Sequence, residues 1–154
     1  MTVLLAGLLC GGACGGSSGG GSGVNSQPIA SGPLAGTIGG QPWSLASGET
    51  DAFLSAGSTT FFTTLYTEAV TPCTGDGFSV TSNQLIVEVP MTPGDYTKTV
   101  TFVVDPGGAN DNLLSSGHVV VSQVTATTVS GGIYARFDAS NIINGQFQAT
   151  ICAQ

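Results

Sequence analysis

GHVVVSQVTATTVSGGIYARFDASNIINGQFQATIC, residues 117–152, is the stretch on which the fold turns. It divides into three runs, 117–125, 127–138 and 142–152, with short connections between them. In the second run Ile133, Ala135 and Phe137 alternate with Tyr134, Arg136 and Asp138. In the third, Phe147, Ala149 and Ile151 alternate with Gln146, Gln148 and Thr150. A repeat of two is that of a strand with one buried and one wet face, so three such runs in succession predict an antiparallel meander. Asn144-Gly145 is a hairpin-type dipeptide, but only Ile142 and Ile143 precede it within its run. A bulge or a kink at strand entry therefore competes with a turn there.

The same pattern extends upstream. Residues 59–69, TTFFTTLYTEA, are rich in β-branched and aromatic side chains, which favours a pleated, half-buried strand. Residues 83–89 place Leu85, Val87 and Val89 on one face and Gln84 and Glu88 on the other. Pro90 and the turn Thr92-Pro93-Gly94-Asp95 end that run. Residues 97–104 set Val100, Phe102 and Val104 against Thr99 and Thr101, and 105–112 form a turn-rich loop. No window sustains a capped helical period. The expected architecture is all-β, an antiparallel β-sandwich or barrel with a C-terminal meander, over residues 34–154. That is roughly 120 residues, one domain's worth and enough to bury a core.

The first 33 residues are of another kind. Residues 1–14 have the order of an export leader: a short apolar core at 3–9, then Gly11, Gly12 and Ala13. The basic start of a secretory signal is missing, since no Lys or Arg occurs before Lys98. Cys14, preceded by Gly12 and Ala13, is the favoured lipid-attachment residue, although the usual leucine is lacking. Cys10, behind Leu8 and Leu9, is the alternative. A start upstream of Met1, or secretion without lipid, would explain the same residues. The apolar run is far shorter than the ~20 residues of a spanning helix. Residues 15–33 read as a flexible Gly/Ser-rich leash, with a reach on the order of 20–25 Å. Gly15-Gly16-Ser17-Ser18-Gly19 matches the serine-hydrolase elbow literally, but that motif acts only at a strand-to-helix turn, and no strand precedes it.

Charge narrows the classes of partner. Two Lys+Arg stand against nine Asp+Glu, for a net charge of −7. Nothing is available to neutralise phosphates, which excludes nucleic acid and an anionic membrane surface as partners.

Three stretches carry a resemblance. They are GTIGGQPWSLASGETD (36–51), the turn Pro72-Cys73-Thr74-Gly75-Asp76, and the ending SGHVVVSQVTATTVSGGIYARFD…NGQFQATIC. Together they resemble a loose group of uncharacterised lipoproteins of myxobacteria and related Gram-negative bacteria, over most of residues 36–152. The resemblance implies fold and location and brings no activity, cofactor or catalytic residue. The lipid-attachment site is where this chain departs most from the group.

Four cysteines allow three pairings. Cys10 and Cys14 belong to the leader, which leaves Cys73 and Cys152 for a structural disulfide in an oxidising compartment. A metal pair or redox site is the competing reading, without a CxxC and with His118 as the one histidine.

Few other residues could carry chemistry. His118 lacks a nominated nucleophile or orienting carboxylate and reads as a solvated edge histidine. Asp105, Asn110, Asp111 and Asn112 gather oxygen ligands in one loop, a weak cation candidate that matches no calcium-loop spacing. Glu49, Asp51, Asp76 and Asp95 sit near turns, and a converging pair among them would make a glycosidase. Trp43, Phe61, Phe62, Tyr66, Tyr96 and Tyr134 supply rings. Most are expected in the core, with Tyr134 beside Arg136 as the exposed binding candidate and Trp43 as a weaker one. The expected function is a non-enzymatic module of the cell envelope, held at the outer membrane by an N-terminal lipid and facing periplasm or exterior. Its partner would be a protein or glycan, and no cofactor is expected. The alternatives are a secreted form, a subunit that self-associates through strand edges, and a carbohydrate-active hydrolase.

Overall fold

A computed structural model describes residues 27–153. The expected leader, its Cys10 and Cys14, and the Gly/Ser tract up to residue 26 lie outside the described residues. The elements in order are β1 (Ala35–Ile38), β2 (Gln41–Ser44), β3 (Ser47–Asp51) and a one-turn helix α1 (Ala52–Ser55). Then come β4 (Thr60–Tyr66), a 3-10 turn (Asp76–Ser79), β5 (Gln84–Pro90), β6 (Gly94–Val104), β7 (Asp111–Val124), β8 (Thr128–Arg136) and β9 (Ile142–Thr150).

The expected C-terminal meander is present as β7, β8 and β9, and it is part of a longer one. From β3 to β9 every strand pairs antiparallel with its successor. β9 then closes back onto β3 through Glu49 opposite Thr150, making a seven-stranded barrel. Of the two expected architectures, the barrel is the one adopted. Seven strands that alternate in direction leave the first and last running the same way, so the closing pair has to be parallel. The contact is one residue pair long.

The first half of the outer edge of β9 is covered as well. β1 pairs with residues 142–144, and Pro33 bridges to Gln146. Among the described residues the outermost strand on that side is β2, four residues long and containing Pro42. A short edge carrying proline is a poor template for further pairing. The β1–β2 hairpin turns on Gly39 and Gly40, both at positive φ, as a two-residue hairpin requires. It folds over the barrel end where β5 begins. There Trp43 Nε1 donates to the Asn83 carbonyl at 2.9 Å and Asn83 Nδ2 donates to the Ile38 carbonyl at 2.7 Å.

The interior is filled by the alternation seen in the sequence. Leu85, Val87 and Val89 of β5, Val100 and Phe102 of β6, and Ile143, Phe147 and Ala149 of β9 are all buried. Phe102 is the largest of the fully buried side chains. One expected inward residue departs: β8 ends at Arg136, so Phe137 lies past the strand and is half exposed.

The leash was expected to run through residue 33, yet residues 27–33 are held against the outer wall. Gln27 faces His118 on β7 through its carbonyl. Ile29 packs on Gly132 of β8, and Ala30 exchanges bonds with the side chains of Asn144 and Gln146 on β9. Composition cannot reveal this strap, because its bonds are made to side chains more than 90 residues away in sequence. It also explains Asn144-Gly145, which forms no turn and lies within β9. A Cβ on Gly145 would lie 2.5 Å from the Pro33 carbonyl oxygen. The glycine is there to let the strap come close.

Candidate functional site

The outer wall at β3, β4 and β5 carries a cleft of about 530 Å³. Its floor is made by the outward faces of those strands: Glu49 and Asp51, Phe62, Thr64 and Tyr66, and Gln84 and Ile86. α1 bounds it at the Asp51 end, and the 3-10 turn bounds it at the Tyr66 end.

Local chemistry sets both boundaries. Asp51 caps α1 by accepting from Leu54 N at 2.8 Å, a usual N-cap role for aspartate. Ser55 is buried and tied on both sides. It donates to the Asp51 carbonyl and accepts from Phe62 N at 3.0 Å. With Ser55 turned inward, Phe53 and Leu54 face out, and Phe53 is 85% exposed. At the other end Gly77 sits directly over the Tyr66 hydroxyl and the Glu49 carboxylate, where any β-carbon would collide. That seating leaves Phe78 90% exposed.

Glu49 ties the wall to the disulfide. One carboxylate oxygen accepts from the Tyr66 hydroxyl at 3.1 Å, and the other from Cys73 N at 2.6 Å. Cys73 and Cys152 are bonded to each other, as expected, and their bridge lines the same end of the cleft. Glu49, Cys73 and Cys152 form the one group among the described residues with metal-ligand spacing. Sulfurs joined to each other are not thiolates, and the thiolate is the metal ligand.

Burial and then the Glu49 charge push the Tyr66 hydroxyl well above the usual tyrosine range. The folded chain thus holds this proton more firmly than the unfolded chain. The resulting stabilisation is complete below the ordinary value of about 10 and is lost as pH rises through the higher folded value. Tyr66→Phe should be less stable than the parent at neutral pH, by about 1 kcal/mol for the lost hydrogen bond. The gap should narrow in urea melts taken from about pH 9 to about pH 11. A gap constant across that window would show that the proton is not held.

The other expected sites are scattered. Asp105, at φ 50°, closes its own turn: its carbonyl accepts from Gly108 N and Asn110 N, and its carboxylate accepts from Ala109 N. Asn112 donates to the Asn110 carbonyl, and Asp111 and Asn112 begin β7. Asp105 and Asn112 thus spend polar groups on the shape of the loop.

His118 is not the expected solvated residue. It is 7% exposed, with Nδ1 at 2.9 Å from the Gln27 carbonyl and Nε2 at 2.9 Å from Asp95. The strap covers it. Trp43 is buried and unavailable as a binding ring. Tyr134 is partly exposed and Arg136 exposed on β8, two strands round the barrel from β3 and apart from the cleft.

Among the turn carboxylates, Glu49 and Asp51 do meet in the cleft. They stand two residues apart on one strand, roughly 6.5 Å along it, and both are engaged in holding local structure. They share one wall and do not flank the cleft from opposite sides, as a glycosidase pair must.

Phe53 and Phe78 were absent from the expected rings. Their signal was present: each is a large apolar residue in turn-forming surroundings, Ala52-Phe53-Leu54-Ser55-Ala56-Gly57 and Gly75-Asp76-Gly77-Phe78-Ser79. No strand repeat there would bury them. No family model matches this chain, and comparison with curated proteins and with solved structures gives no match.

Proposed function

We propose that this chain is an exported module of the cell envelope, tethered by an N-terminal lipid, which binds a ligand in the outer-wall cleft without transforming it. The observation that carries the reading is the exposure of Phe53 and Phe78 at the two ends of one concave surface. The barrel core is complete without them, and a ligand between them would cover apolar area now facing water. A cleft of this size matches small-molecule sites. The disulfide accords with an oxidising compartment.

The binding part is tested on the full chain with a mixture of cationic, neutral and anionic aromatic fragments, followed by amide NMR shifts. Shifts should cluster at residues 49–54 and 73–78 and vanish in the Phe53→Ala/Phe78→Ala variant. No shift in the cleft from any fragment would overturn it. The tether is tested separately. Cys14→Ser should move the protein from the membrane to the soluble fraction of host cells, and unchanged membrane retention would overturn the lipid assignment.

A further inference from the structure

The cleft holds two carboxylates and no cationic side chain, and several of its donors are already engaged. The Tyr66 hydroxyl and Cys73 N already donate to Glu49, Leu54 N to Asp51, and Gln84 Nε2 to the Val80 carbonyl. Each carboxylate has about four lone-pair sites, so Glu49 and Asp51 keep acceptor capacity after those bonds. No cation answers them: Lys98 is on β6, Arg136 is on β8, and neither lines the cleft. Among the described residues the one ion pair is His118 with Asp95, elsewhere on the barrel.

We infer that the cleft is a site for a small organic cation with an apolar body. Its ammonium or amidinium group meets Asp51 and Glu49, and its hydrocarbon or aromatic part lies between Phe53 and Phe78. This rests on the cleft being the ligand site, and it adds the chemistry of the ligand. The cation supplies the missing positive charge and brings donors for the open carboxylate lone pairs, and phenyl faces attract it as well. An anion would meet two carboxylates with no cationic side chain to offset them. A neutral molecule would leave their charge unanswered.

The test compares three probes of one shape, benzylamine (an ammonium ion at neutral pH), benzyl alcohol and phenylacetate, titrated into the full chain by amide NMR. Benzylammonium should bind at about millimolar concentrations, as suits so small a ligand. It should bind at least about tenfold more tightly than benzyl alcohol, and less tightly as salt is added. Phenylacetate should leave the cleft unshifted. Asp51→Asn removes the charge and keeps the helix cap, because asparagine caps as well as aspartate. It should weaken benzylammonium at least about fivefold with the fold unchanged. Equal binding of benzyl alcohol, binding of phenylacetate, or an unaffected Asp51→Asn variant would each overturn the cation assignment and leave the cleft as a ligand site. Silence from all three probes would overturn both.

Discussion

Removing the Cys73–Cys152 bond, as Cys73→Ser/Cys152→Ser or by reduction, should lower the stability of the fold by about 4.5 kcal/mol. The bond closes a loop of separation 79, and an open chain of that length has far more conformations to lose on folding. The Tm should fall by roughly 15–20 °C. Against a typical total of about 5–15 kcal/mol, this is a large share. The effect should also be localised. Cys152 stands two residues past the end of β9 and its N–H donates to the Thr50 hydroxyl on β3 at 3.0 Å, so the bond reinforces the one-pair seam that closes the barrel. Cys73 lies beside the 3-10 turn that seats Gly77 on Tyr66. Hydrogen exchange should therefore rise first at residues 73–80 and 148–153, before the amides of β6 and β7. A loss below about 1 kcal/mol, or uniform exchange, would refute this account of the bond.

Phenylalanine to alanine should give opposite results at different positions. Phe102→Ala should cost about 3–5 kcal/mol. Phe102 is fully buried, stands opposite Leu85 on β5 and Leu113 on β7, and leaves a cavity when truncated. Phe53→Ala and Phe78→Ala should each change stability by less than about 0.5 kcal/mol, because those rings touch mostly water. Denaturant melts of the three variants measure the contrast. A stability loss at Phe78 comparable to that at Phe102 would mean that the ring serves the fold, and it would remove the main reason for assigning it to a ligand.

The strands were legible in the sequence wherever one face is buried and the other wet. Leu85, Val87 and Val89, or Phe147 and Ala149, announce their face by spacing alone. Closure was not legible, because a sandwich and a barrel impose the same alternation on each strand. What separates them is the meeting of Glu49 with Thr150, a hundred residues apart and marked by no pattern. The disulfide could be read because the other two cysteines were assigned to an expected leader. The cleft could not, since its parts come from three separate segments. Glu49 and Asp51 were visible only as turn carboxylates, and Phe53 and Phe78 have no repeat to place them. His118 was misjudged for a related reason: the strap that buries it looks, by composition, like the end of a leash.

That strap has a mechanical meaning. A pull arriving from the N-terminal side enters the described structure at Gln27 and is passed to the Ala30 bonds with Asn144 and Gln146, then to Leu34, which is fully buried. The load is carried by the β9 wall and by a side chain wedged into the interior. The seam at Glu49 and Thr150 lies at the far end of β9 from those bonds, with the cleft beside it. A domain hung by this end can be tugged without the cleft being the part that gives.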